Sequence, residues 1–184
     1  KKIDPEQEYH VNWVQLNALS EEVDLSLPIR QINYCREQQC DFIIGSFHWG
    51  LEFEFFPAQR QLVIAHQLAE AGLDLIISHH PHVVQPLEFY RTQRDPERTV
   101  VITYSLGNMV SPFHDDDLNL SFLLQVTLAN GKLKNQKRTY IAACHIIPVY
   151  QRALMAGGKP TVRLEKATHL AAFRLPFDLK NLVP

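Results

Sequence analysis

The sequence predicts an α/β domain with a parallel β-α-β core, continued by an antiparallel hairpin. Three observations predict it. Two short apolar runs, residues 42–47 and 73–77, have the length and β-branched content of buried strands. Between them, residues 57–71 open with Pro57, close before Gly72, and place Ala58, Leu62, Ala65, Leu68 and Ala69 at helical spacing. Further on, residues 122–128 alternate apolar and polar side chains. Asn130-Gly131 then gives a hairpin signal, with residues 134–147 as the returning strand.

Taken in order, residues 1–27 are polar and lack glycine, with Tyr9, Val11, Trp13, Val14 and Leu16 as their main apolar side chains. The chain starts with lysine rather than methionine, which hints at a processed or truncated product. Residues 28–39 read as a helix with Pro28 in its first turn and a narrow apolar face of Ile29, Ile32, Tyr34 and Cys35. A helix placed before the strand at Phe42 implies a further β-α-β element beginning upstream. With 184 residues and 46% hydrophobic content, the chain suits one globular domain spanning residues 1–184, its core motifs at 41–112.

Composition excludes several functions. A formal charge of −2 and a pI near 6.5 give no footprint for nucleic acid or anionic membranes. No apolar run is long enough to span a bilayer, and the charged start is no signal peptide. Cys35, Cys40 and Cys144 lack the spacing of a disulfide framework or a zinc pair and read as inert thiols.

The chemistry gathers at the ends of the two core strands. His48 follows the first, and His79, His80 and His82 follow the second. Parallel strands open their C-terminal ends on one edge of the sheet, where open α/β folds bind ligands. Pro81 favours an extended His80, so His80 and His82 are expected to project to one side at i, i+2 spacing. Neutral imidazoles held in that way suit a divalent metal such as manganese, zinc or iron. The competing reading is a loop of solvent-facing histidines. Ser78 beside His79 does not make a serine hydrolase, since strand neighbours face opposite ways and no nucleophile elbow is present.

Residues 87–90 and 99–104 read as strands joined by a polar loop. The second leads into Ser105-Leu106-Gly107-Asn108, either a structural turn or a means of aiming Asn108 at substrate or water. His114-Asp115-Asp116-Asp117 reads as a solvated acidic loop, and Lys132, Lys134, Lys137 and Arg138 as a solvated hairpin tip. Gly157-Gly158-Lys159 lacks phosphate-loop spacing and reads as a turn. Residues 161–164 are a candidate edge strand, and residues 169–182 a short helix and tail.

Several motifs occur here in a recognisable order. They are His48-Trp49-Gly50-Leu51-Glu52-Phe53, Gln59, Ala71-Gly72-Leu73-Asp74-Leu75-Ile76-Ile77, His79-His80-Pro81-His82-Val83-Val84-Gln85-Pro86 and Tyr104-Ser105-Leu106-Gly107-Asn108. Over residues 29–112 the chain closely resembles the C-terminal half of CapA-type proteins, which serve poly-gamma-glutamate capsule synthesis. The resemblance implies a metallophosphoesterase-like (calcineurin-like) layered sandwich of which this chain holds the C-terminal, histidine-bearing half. It implies His48, His80 and His82 as metal ligands and His79 as a ligand or an acid/base. Glu52 is implied as an orienting carboxylate or, if buried, an acid or base, against a plain loop carboxylate. Asn108 and Trp49 are candidate substrate contacts, although Trp49 reads better as a packing residue.

In such proteins the remaining ligands are aspartate and asparagine from Gly-Asp and Gly-Asn motifs of the N-terminal half. Here the first glycine is Gly45, Gly-Asp is absent, and Gly107-Asn108 belongs to the later motif. Two functions follow as expectations. One is a metal-dependent hydrolase acting on a phosphoester or an amide of an anionic polymer. The other is a non-catalytic subunit that holds the polymer or a capsule-assembly partner. The resemblance places either at the bacterial cell envelope or outside the cell.

Overall fold

The computed structural model describes residues 23–111, 116–133 and 136–167, together with Val14 and Leu16. Helix α1 spans Ser26–Glu37, β1 Ile44–His48, α2 Gln59–Ala71, β2 Leu75–His79, β3 Leu87–Arg91 and β4 Thr99–Thr103. A 3-10 turn at Asp116–Asn119 leads into β5 Leu120–Leu133, β6 Gln136–Ala156 and β7 Lys159–Lys166. The result is a mixed α/β fold with two sheets, ordered β1-β2-β4-β3 and β5-β6-β7.

The β-α-β expectation holds: β1 and β2 pair in parallel, and β4 continues the parallel run on the other side of β2. Edge strand β3 returns antiparallel to β4. In β4, Val100 to Thr103 are all buried, as expected for a parallel strand covered on both faces. Helix α2 buries Ile64, Ala65, Leu68 and Ala69 into the main core. The expected apolar face is thus rotated towards Ile64: Leu62 is only partly buried, and Ala58 is the exposed N-cap. The Gln61 side chain reaches back to accept the Ala58 N–H at 2.9 Å, and Gly72, at φ 131, closes the helix.

Both histidine-bearing strands start two residues later than their apolar runs suggested, and they end one (β1) and two (β2) residues later. Residues 42–43 and 73–74 form an approach held by Asp74, whose N–H donates to the Ile43 carbonyl and whose Oδ2 accepts the Ile43 N–H, both at 2.8 Å. Arg98 donates through Nε to Asp74 Oδ1 at 3.0 Å, locking this entry to the loop before β4. Local apolarity does not distinguish a strand from its approach: Ile43 is buried just before β1, whereas β1 is an edge strand with no buried residue and Ile44 54% exposed, in place of the buried strand expected.

A longer correction concerns the hairpin. Strands β5 and β6 pair from Leu120–Tyr150 out to Leu133–Gln136, with one register shift between Thr127 and Leu128, so Asn130-Gly131 lies inside β5, opposite Thr139 and Arg138. Asn130 Nδ2 donates to Thr139 Oγ1 at 2.8 Å, a cross-strand contact in place of a turn. Arg138, expected in a solvated tip, instead pairs through Nη1 with Asp95 Oδ2 at 2.8 Å, linking the second sheet to the loop between β3 and β4. Gly157 and Gly158, at φ 58 and 75, do form the expected turn, and β7 pairs with β6 along its whole length. The cysteines are free thiols. Residues 169–182, Lys134, His114 and Asp115 lie outside the described residues, as do the side chains of Asp116 and Asp117.

Candidate histidine site

Because β1 and β2 are parallel and in register, His48 lies directly beside His79 at their common C-terminal edge. The chain leaves each strand through special backbone. Gly50 sits at φ 99, where a Cβ would lie 2.8 Å from Gln61 Nε2 and 3.3 Å from Pro81 Cγ. The Trp49 N–H donates to the His79 carbonyl at 3.0 Å and the Phe53 N–H to the Pro81 carbonyl at 2.7 Å. These bonds staple the His48 loop onto the His80 loop.

The expected extended spacing of His80 and His82 is corrected. His80 has φ 112 and His82 φ 63, both in the half of backbone space that side chains other than glycine's rarely occupy. Two such residues flanking one proline cost on the order of 1–3 kcal/mol each, and strain of this kind concentrates at functional sites. The proline preference is local, and the two loop-to-loop bonds and the packing beneath Pro81 override it. His80 therefore turns towards His48 rather than pairing with His82. Its Nδ1 lies 3.1 Å from His48 Nε2, with ring centroids 4.7 Å apart, while the His80 and His82 centroids are 6.2 Å apart.

His82 is held separately. Its Nδ1 lies 2.6 Å from Asn108 Oδ1, and its ring stacks on Phe53 with centroids 5.9 Å apart. Asn108 is buried and donates through Nδ2 to the carbonyls of His82, at 3.0 Å, and Leu118, at 3.3 Å. Its amide is engaged within the protein, where it supports His82. Trp49 is 1% exposed and stacks on Phe47 in the core; it is a packing residue and no surface platform. Glu52 is exposed, so the burial that an acid role required is absent, although its charge still reaches His80.

Desolvation at the strand end, followed by the neighbouring His48, pushes His79 below the ordinary histidine value. Desolvation and His48 lower His80 too, against the opposing pull of Glu52. Both rings are therefore neutral at pH 7, the form that binds metals or accepts a proton. A cleft of about 370 Å³ opens between this edge and the second sheet. It is lined by the four histidines, by Leu106 of the turn after β4, and by Phe122, Leu123 and Val149 of the second sheet.

The donor set fits a divalent metal only in part. The His48 and His80 nitrogens converge as two ligands of one ion would, yet among the described residues no three His, Cys, Asp or Glu side chains are grouped to hold an ion. Sequence reasoning quoted Phe53 within a motif but gave it no role, and it missed Ser121 and Gln151, isolated polar residues in long strands that carry no local signal.

The family model described as "Bacterial capsule synthesis protein PGA_cap" matches residues 2–112, more than half of the chain. A 74-residue stretch is 39% identical to the PGA biosynthesis protein CapA of Bacillus subtilis (strain 168), covering 40% of this chain and 18% of that protein. The capsule biosynthesis protein CapA of Bacillus anthracis is 34% identical over 99 residues, 52% of this chain and 22% of its own length. A Mycobacterium tuberculosis protein named "Probable polyglutamine synthesis accessory protein" is 30% identical over 101 residues, 50% of this chain and 25% of its own length. The chain thus spans between about a fifth and a quarter of the curated relatives it matches. It belongs to the bacterial capsule synthesis family PGA_cap.

Proposed function

We propose that this member of the capsule synthesis family supplies the histidine-bearing face of a metallophosphoesterase-like site acting in poly-gamma-glutamate capsule synthesis. The observation that carries the reading is the 3.1 Å approach of His48 Nε2 to His80 Nδ1 at a parallel-sheet edge. Two imidazole nitrogens so close must share one proton or hold one cation between them. His82, held by Asn108, is the third ligand of the proposed set, and His79 is a further ligand or an acid/base. Manganese, zinc or iron, when bound, supplies Lewis acidity to a hydrolytic or transfer reaction. The oxygen ligands that complete such a site come from outside the described residues.

The substrate of this reading is a phosphoester or amide of an anionic polymer, admitted to the cleft beside the histidines. Relatives named for capsule biosynthesis and for an accessory role in polyglutamine synthesis support that substrate class and a place beside capsule-synthesis partner proteins. A second reading is a non-catalytic subunit that uses the cleft to hold polymer or partner. The absence of a three-ligand group among the described residues favours it.

Metal content separates the two readings. After dialysis against each of the three metals in turn, elemental analysis of the 184-residue chain is expected to give near-stoichiometric metal. A His80→Ala, His82→Ala double variant should lose it while keeping its circular dichroism. Equal metal in both would refute the histidine site, and none in either would leave the binding-subunit reading.

A further inference from the structure

The second sheet sends two buried polar side chains towards the histidine edge. Gln151 of β6 is fully buried, and its Nε2 donates to the Asn108 carbonyl at 2.6 Å and contacts Ser121 Oγ at 3.5 Å. Ser121 of β5, also buried, donates its hydroxyl to the same carbonyl. Two donors from two strands thus converge on one backbone oxygen, which fixes the peptide unit that carries Asn108. Gly107, at φ 78, makes the approach possible, since a Cβ there would lie 2.7 Å from the Leu120 carbonyl oxygen.

The fixed Asn108 in turn determines the chemistry of His82. Both hydrogens of its amide are committed to carbonyl oxygens, those of His82 and Leu118. The oxygen that remains accepts only, and it faces His82 Nδ1 at 2.6 Å. His82 Nδ1 must therefore carry the proton, which leaves the lone pair on Nε2 of a ring that lines the cleft. Asn108 also holds the His82 carbonyl, so one side chain grips that residue at its backbone and at its ring. That double grip accounts for a histidine held at φ 63.

We infer that Gln151 is a positioning residue: through Asn108 it locks His82 in the Nδ1–H tautomer and presents Nε2 to the cleft. The role belongs to a strand beyond the stretch shared with the family model, so the second sheet is part of the site. Orienting groups of this kind set the direction and basicity of a histidine's other nitrogen. The inference rests on the proposed function only for what Nε2 is used for; the tautomer is read without metal or turnover.

The test is long-range 1H–15N correlation of the imidazoles of the labelled chain, above the usual histidine pH range, with His82 assigned by its loss in His82→Gln. Wild type should show a protonated Nδ1 at His82, the tautomer that free histidine disfavours. Asn108→Asp keeps the accepting oxygen and should retain the pattern, whereas Asn108→Leu should lose it. Gln151→Met, with an unchanged amide spectrum in the first sheet, should convert His82 to a mixture of tautomers or to Nε2–H. A wild-type Nε2–H at His82 overturns the inference, as does an unaltered His82 in folded Gln151→Met. Should Gln151→Met not fold, Ser121→Ala leaves Gln151 as the donor to the carbonyl and must keep Nδ1–H; its loss there removes the role from Gln151. Should the tautomer be as stated while no metal binds, the positioning role stands and the metal reading falls.

Discussion

In the first sheet, the strands that carry His48 and His79 are five residues long, and the neighbouring β4 buries Val100 to Thr103 without a break. In the second sheet, β6 runs for 21 residues with only Val149 and Gln151 buried. The inner strands β2 and β4 are short and mostly buried, whereas the edge strands β1 and β3 have no buried residue. The second sheet is long because it is open, and its pairing extends with little packing to limit it. Rigidity is therefore unevenly distributed. The histidines sit where the first sheet ends, and the open sheet influences them only through its one buried end, where Leu120, Ser121, Phe122, Val149 and Gln151 meet the Asn108 turn.

Core truncation is the widest test of that contrast. Leu68→Ala, fully buried on α2, is expected to lower unfolding free energy by about 3 kcal/mol. Met155→Ala, 71% exposed on β6, should stay within about 0.5 kcal/mol in the same denaturant titration. Comparable losses would break the distinction between the sheets.

The junction comes next. Gly107→Ala places a Cβ 2.7 Å from the Leu120 carbonyl oxygen at φ 78, so a loss of about 2 kcal/mol is expected by thermal or chemical unfolding. An unchanged stability would mean that the two sheets are not tightly joined there. Arg138→Ala removes the other link, an ion pair with Asp95 whose side chains are 17% and 32% exposed. Its loss should cost at most about 1 kcal/mol and shrink as salt is added. A larger, salt-insensitive loss would make that contact part of the core.

The smallest effect concerns pH and lies on the far side of the first sheet. Burial alone would raise the Glu70 carboxyl, but the Gln93 N–H, the Tyr90 hydroxyl and the Arg94 N–H outweigh it and hold the group below the ordinary 4.5. A depressed folded value means that this stability is present above pH 4.5 and is lost as pH falls through the folded value. Glu70→Gln should accordingly flatten the acid side of the stability curve, with a small loss of stability at pH 7 that fades as pH falls through the folded value. An unaltered acid limb would show that Glu70 makes no net contribution.

Much of this architecture was legible locally. Glycine at the end of α2, apolar runs of strand length and the Gly157-Gly158 turn report backbone needs through residue type. Asn130-Gly131 misled because a favourable turn pair can also extend a ladder, and only the partner strand's register decides. His80 misled for a related reason: proline's preference for an extended predecessor is a small bias, easily reversed by two loop-to-loop hydrogen bonds. Asn108 was singled out at the right turn, but its contacts with His82 and Leu118 were not foreseen, since the sequence offers no measure of which acceptor its amide will meet.

By itself, then, the sequence determined that four histidines end two parallel strands, that a helix crosses between them, and that the motifs are those of the capsule synthesis family. Periodicity and strand polarity are properties of adjacent residues, so a linear reading recovers them. Tertiary structure alone decided that His48 meets His80, that His82 answers to Asn108, and that Gln151 lies behind both. Those contacts join residues tens of positions apart, and their geometry depends on how two sheets pack, which no local pattern encodes.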